Sequence, residues 1–221
     1  MAEFTLHCFC QSGNAFKAAS LLACAGADWE AVFVDFLGGE TRTPAWREQV
    51  NEMGEVPVLE HRGLKLSQSG VILDYLAEAL GRFGAESPEE KREIWRWILF
   101  DNHKFTSYFA THRWLRSLAP AAPEPAVLAF LEARADAAFA VVEKHLESQD
   151  FLVGGRPTIA DFSLSGYLFY PPEETGYDLA GAFPAVHAWS QRLAALPGWQ
   201  PPYELLPGER IAPRRSYPIK G

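Results

Sequence analysis

The sequence predicts an α+β domain followed by an all-α domain. Three observations lead there: strand patterns alternate with helical ones up to about residue 80, Gly81 to Pro88 form a Gly- and Glu-containing break, and beyond it the apolar residues recur at helical spacing. The expected division is a domain over residues 1–80, a linker over 81–87, and a helical domain over 88–221 that ends in an irregular tail.

The elements follow in order. Phe4 to Phe9 fits a buried strand, and Gln11-Ser12-Gly13-Asn14 supplies turn chemistry directly after it. Phe16, Ala19, Leu22 and Ala23 repeat at helical spacing, with Gly26 placed to stop that helix. Trp29 to Val34 reads as a second strand, and the length of the connection demands that it run parallel to the first. A short helix near Pro44-Ala45-Trp46 precedes a hairpin, Val56 to Leu59 and a strand near Lys65-Leu66, turned at Arg62-Gly63. A helix from about Ser69 to Leu80 ends at Gly81. The order βαβ then ββα is the thioredoxin arrangement.

After the break, Ser87-Pro88-Glu89-Glu90 starts a long helix with a Ser cap, Pro at the first position and acids in the first turn. Ile94, Trp97, Ile98, Phe105, Tyr108 and Phe109 exceed a one-sided stripe, so more than one face is buried. Ala119 to Pro125 is a loop, and a second long helix runs from Ala126 to about Leu146. Thr158-Ile159-Ala160-Asp161 is a capping box that begins the next helix, with Asp161 as the reciprocal acceptor. A last helix covers Phe183 to Leu193, stopped by Pro197-Gly198-Trp199, and the proline-rich tail is irregular.

Composition narrows the function classes. With 221 residues, 48% apolar and 22% charged, the chain can build two compact cores. A net charge of −8 argues against nucleic acid or an anionic membrane as main partner, though a local basic cleft still binds an anion. No apolar run approaches the roughly 20 residues that span a bilayer, and the start lacks a signal pattern, so a cytoplasmic location is expected. Cys8, Cys10 and Cys24, an odd number without a disulfide framework, suit a reducing compartment. No Cys/His set has zinc spacing, and no metal is expected.

Pro57 stands between two valines at the start of a strand, where a missing N–H is tolerated. If its peptide bond is cis, the Val56 N–H and C=O turn outward and can pair with an extended peptide ligand. About ten residues on, Gln68-Ser69 opens a helix whose first N–H groups would receive a carboxylate. The alternative is an ordinary edge strand and an ordinary cap. Together, Gly54-Glu55-Val56-Pro57-Val58-Leu59 and Gln68-Ser69 resemble the thioredoxin-like domain of the cytosolic glutathione transferases. Phe151 to Asp161, with Thr158 and Asp161 closing a cap inside the core, resembles the buried helix of that family's all-helical domain. The resemblance covers nearly the whole chain.

It implies that glutathione is the co-substrate: Val56 and Pro57 present backbone to its cysteinyl part, and Gln68 and Ser69 hold its γ-glutamyl group. It also implies a homodimer and a detoxifying conjugation of glutathione with small hydrophobic electrophiles. Ser12-Gly13-Asn14-Ala15-Phe16-Lys17 resembles the bacterial Ser-Gly-Asn form of the active-site loop, in which the residue five before the helix's basic residue lies nearest sulfur. Counting back from Lys17 gives Ser12; Asn14 is the additional or alternative contact, and both also suit a plain turn. A hydroxyl donor at a helix N-terminus stabilises a thiolate, and one to two units of lowering at about 1.4 kcal/mol each is enough at neutral pH.

Cys10 is the rival. Its thiol would run thiol exchange or lyase chemistry, but it lies two residues out of register and shares a strand face with Cys8, which suits a buried structural cysteine. Glu55 departs from the family's usual donor before the valine, so the glycyl carboxylate needs another cation, Arg42 or Arg47, or the neutral Gln49 and Asn51. The electrophile pocket is expected over the long helix, lined by Phe105, Thr106 and Phe109, whose alternative role is simply core. Asn102 and His103 have no evident pairing. Rival readings are a glutathione-dependent peroxidase, lyase or dehalogenase, or a noncatalytic transferase-like binding protein.

Overall fold

The computed structural model describes residues 2–221; Met1, the first position of the expected 1–80 domain, lies outside the described residues. The chain forms two compact units that interleave in sequence: the first runs to Gly84 and includes Pro197–Arg210, and the second holds Ala85–Leu196 and Ile211–Gly221.

In the first unit, β1 (Phe4–Cys8), α1 (Gly13–Ala25), β2 (Trp29–Phe33), α2 (Pro44–Gln49), β3 (Val58–His61), β4 (Leu64–Ser67) and α3 (Ser69–Leu80) follow the expected order. The sheet order is β2-β1-β3-β4, with β1 parallel to β2 and antiparallel to β3, and β3 antiparallel to β4. Leu6 pairs with Ala31 and Leu59, so the strand of greatest apolar burial sits at the centre. The β3–β4 turn places Arg62 and Gly63 both at positive φ, the twist that a two-residue hairpin favours. α1 ends at Gly26 and α3 at Gly81, each in the left-handed region. Val34, Trp46 and Val58 form a buried cluster against which Val50 and Val56 pack, so α2 is anchored beside the start of β3.

In the second unit, α4 (Pro88–Phe100) begins with the expected cap, the Glu90 N–H donating to Ser87 Oγ at 3.1 Å. The expected long helix is broken by two π-helical stretches, Asp101–Phe105 and Trp114–Leu118, on either side of α5 (Thr106–Arg113). Asp101 has a physical reason to sit at such a widening. Wholly buried, its carboxylate accepts from Thr106 Oγ1 at 2.5 Å and Ser163 Oγ at 2.6 Å. α6 (Pro125–Leu146), α7 (Ile159–Ser165), the one-turn α8 (Pro172–Thr175) and α9 (Leu179–Ala182), and α10 (Pro184–Ala194) complete this unit. Phe139 is its aromatic hub, 4.7 Å from the Phe105 ring, 5.1 Å from Phe109 and stacked on Phe183 at 4.6 Å.

The tail differs from the expectation of one irregular extension of the helical domain. Pro197–Arg210 belongs to the first unit, where the short helix α11 (Pro202–Leu205) packs on α1. Gly198, at φ +79°, lies where a Cβ would meet the Ala23 carbonyl, and Gly208, at φ +112°, where one would meet the Phe33 ring and Cys10 Sγ. Only glycine permits both the conformation and the approach. No helix among the described residues is long and apolar enough to cross a membrane.

Candidate functional site

Three segments of the first unit hold the residues expected to bind glutathione. The first is the turn between β1 and α1. Ser12 is the N-cap of α1 and is buried to 7% exposure; its Oγ accepts from the Ala15 N–H at 3.1 Å and its own N–H donates to Phe9 O. That arrangement uses the oxygen as acceptor and leaves the hydroxyl hydrogen available to donate. Two residues on, the Asn14 Oδ1 is buried with no partner among the described residues. Before Ser12, the Gln11 amide donates to the Glu209 carbonyl at 2.6 Å, tying the tail to this turn.

The second segment precedes β3. The Val56–Pro57 peptide is cis, the isomer on which the sequence reading depended. Among the described residues no hydrogen bond is made by the Val56 N–H or C=O. Asn51 braces the approach to it, donating from Nδ2 to Glu55 O at 3.0 Å and accepting from the Met53 N–H at 3.1 Å. Arg47 donates to Glu52 O at 3.1 Å, and its guanidinium lies where a Cβ on Gly54 would fall. Arg47 and Asn51 are thus loop-building groups. Arg42 is exposed at the end of the single turn Glu40–Arg42; its N–H donates to Gly39 O at 2.9 Å, and its guanidinium has no hydrogen-bond or ion-pair partner among the described residues.

The third segment is the start of α3. Gln68 sits at φ 68°, ψ 113°, a backbone region that side chains rarely adopt. Its carbonyl accepts from the Ile72 N–H, while its side-chain amide donates to Glu55 Oε2 at 2.7 Å. Ser69 is buried, and its hydroxyl has no partner among the described residues. The N–H groups of Ser69, Gly70 and Val71 precede the first intrahelical bond, so α3 opens with donors to give.

The remaining expectations divide. Cys8, Cys10 and Cys24 are all buried. Burial pushes the Cys8 thiol up to about 12, with the neighbouring Cys10 adding to it, and the Cys24 thiol up to about 11. Cys10 is wholly enclosed, which suits the structural reading over thiol exchange. Phe105, Thr106 and Phe109 do not line an open pocket. Both rings are 1% exposed against Phe139, and Thr106 is bound to Asp101, so the pocket expected there is corrected to core. Among the described residues no group of His, Cys, Asp and Glu is arranged to hold a metal ion.

The capping box closes as its pattern predicts. Asp161 is fully buried and accepts from the Leu152 N–H (2.9 Å), Thr158 N–H (2.8 Å), Thr158 Oγ1 (3.0 Å) and Trp189 Nε1 (2.9 Å). Sequence spacing could find Thr158; the bond from Trp189, 28 residues away, had no local signal. The Gln11–Glu209 tether and the Gln68–Glu55 bond were missed for the same reason.

Residues 2–78 match the family model described as Glutathione S-transferase, N-terminal domain, and residues 103–197 the one described as Glutathione S-transferase, C-terminal domain. Human Glutathione S-transferase A3 is 31% identical over 199 residues, covering 87% of this chain and 84% of that protein. A solved glutathione S-transferase from Xanthobacter autotrophicus Py2 is 35% identical with a TM-score of 0.81, covering 91% of this chain and 98% of that one. Ure2p in complex with glutathione shares the fold at a TM-score of 0.82 and 22% identity, covering 93% and 98%.

Proposed function

The chain belongs to the glutathione S-transferase family, and from that premise we propose that it joins the thiolate of glutathione to small hydrophobic electrophiles. The Val56 N–H and C=O pair with the cysteinyl backbone of the tripeptide, beside Pro57. Gln68, Ser69 and the leading N–H groups of α3 receive the γ-glutamyl carboxylate. Arg42, an exposed cation with no protein partner among the described residues, takes the glycyl carboxylate.

Ser12 then donates its hydroxyl hydrogen to sulfur, helped by the N-terminus of α1. One such bond and the dipole favour the thiolate by one to two pKa units, about 1.4 kcal/mol each. The bound thiolate forms a carbon–sulfur bond as the leaving group departs with its electron pair. Positioning supplies the rest of the acceleration. Asn14, with an unpartnered buried carbonyl and a free amide, is a second polar group beside the sulfur. The protein works as a cytoplasmic homodimer in detoxification, with no nucleic-acid or membrane partner and no metal.

The observation that carries this reading is the Ser12 cap: its oxygen is engaged by Ala15 while its hydrogen is not. Crystals soaked in glutathione should place sulfur within hydrogen-bond distance of Ser12 Oγ. Sulfur aimed at Cys10, or a protein that shows no heat of glutathione binding, would overturn it. Light scattering decides the dimer.

A further inference from the structure

We propose that Met53 is an oxidation site, and that a peroxide which converts its thioether to the sulfoxide weakens glutathione binding through Gln68; this rests on the glutathione site proposed above. Met53 lies in the turn Asn51–Gly54, closed by the Gly54 N–H donating to Asn51 O at 2.9 Å. The Asn51 side chain fixes that turn on both sides, accepting from the Met53 N–H and donating to Glu55 O. From it two acceptors meet one amide. Gln68 Nε2 donates to Glu55 Oε2 at 2.7 Å and to Met53 Sδ at 3.3 Å. An amide nitrogen carries two hydrogens, so both are spent. To receive the γ-glutamyl carboxylate Gln68 has to surrender one of them, and the thioether is the weaker acceptor. The contact with Met53 is therefore the one that yields.

Among the described residues Met53 carries the exposed sulfur. It is 52% exposed, whereas Cys8 and Cys10 are wholly enclosed and Cys24 is 4% exposed. Burial also pushes the Cys8 and Cys24 thiols up to about 12 and 11, so neither supplies the thiolate that reacts with peroxides. A thioether has no proton to lose first. Its sulfur lone pair attacks the terminal oxygen of a hydroperoxide: the S–O bond forms, the O–O bond breaks, and sulfur is oxidised by two electrons. The departing oxygen takes the proton of the transferred one and leaves as water or an alcohol.

The product changes the competition for Gln68. A sulfoxide oxygen is a strongly polar acceptor, and here it is bonded to a sulfur already within reach of Nε2. The amide is then held by two strong acceptors, and a γ-glutamyl carboxylate has to displace one of them. The expected loss of glutathione affinity is about fivefold, the worth of one ordinary hydrogen bond. Methionine sulfoxide reductases return the thioether and with it the weak contact.

The test treats the full chain with hydrogen peroxide, removes the excess, and follows two readouts: peptide mass spectrometry and calorimetric titration with glutathione. The sequence holds two methionines, Met1 and Met53, so digestion assigns each added oxygen. Met53 should gain one oxygen before any cysteine does, and affinity should fall with the fraction of sulfoxide. Methionine sulfoxide reductases of both epimer specificities should restore it. In Met53→Leu the same treatment should leave the affinity where it stood before peroxide. Oxygen added to the cysteines first, a Met53 sulfoxide that leaves affinity unchanged or tighter, or an equal loss in Met53→Leu would overturn the switch. Enzymatic reversal on the unaltered protein decides the matter even if the variant does not fold. Absence of binding heat before any peroxide is added is a different result, which overturns the glutathione site itself.

Discussion

The start of α3 in the first unit and the start of α7 in the second are both helix N-termini met by short polar side chains, yet their polar groups end in opposite states. At α7 the Asp161 carboxylate is fully buried and four donors converge on it, from Leu152, Thr158 twice and Trp189. At α3 the Ser69 hydroxyl and the leading N–H groups have no protein partner among the described residues, and Gln68 holds a rare backbone conformation. Evolution of a fold tolerates open donors only where something else will fill them. The closed cap builds structure, and the open one leaves the donors on which the proposed glutathione site relies.

Breaking the closed cap should have the largest effect. Asp161→Ala strands four donors inside the core and should cost about 3–5 kcal/mol, measured by urea denaturation, with loss of the folded second unit. Asp161→Asn, which keeps one acceptor, should cost less. A variant as stable as the parent would remove the contrast between the two caps.

The same interior should make the second unit acid-sensitive. The His112 pKa is depressed to about 4 from an ordinary 6.5, so the folded state resists its protonation. Stability from this group is present above pH 6.5 and is lost as pH falls from there toward 4, about 3 kcal/mol in all. His112→Phe should flatten that part of the stability profile, and an unchanged slope would assign the acid sensitivity elsewhere.

At the open end the effects are chemical. Ser12→Ala should raise the apparent pKa of bound thiol by about one to two units and slow conjugation at neutral pH, alongside about 1 kcal/mol of lost helix capping. Ser12→Gly keeps most of the cap and separates the two effects. A pH–rate profile identical to the parent in both would pass the role to Asn14. The smallest change is the most diagnostic of an open site: Gln68→Gly should relieve the backbone and stabilise the fold by about 1 kcal/mol while weakening glutathione binding. A gain in both stability and affinity would deny the residue any binding role.

What was legible beforehand follows the range of the forces involved. Strand-forming apolar residues gave β1 and β3, glycines at positive φ gave the ends of α1 and α3, and Thr158-x-x-Asp161 gave α7, since each is decided within a few residues. The cis proline before β3 and the start of α3 at Gln68-Ser69 were legible from local chemistry alone. The π-helical widening at Asp101 depended on Ser163, 62 residues away, and the seat of the tail on close approaches at Gly198 and Gly208. No periodicity encodes those. Phe105 and Phe109 show the converse error, since an apolar stripe announces burial without saying whether against a ligand or against Phe139.

The interleaving of the two units has a consequence for how the protein is made. The turn that carries Ser12 is synthesised well before Glu209, which Gln11 grips from 198 residues away. The first unit therefore cannot reach its final packing until the segment around Glu209 has been released, and until then its first helix must wait with the face destined for α11 uncovered.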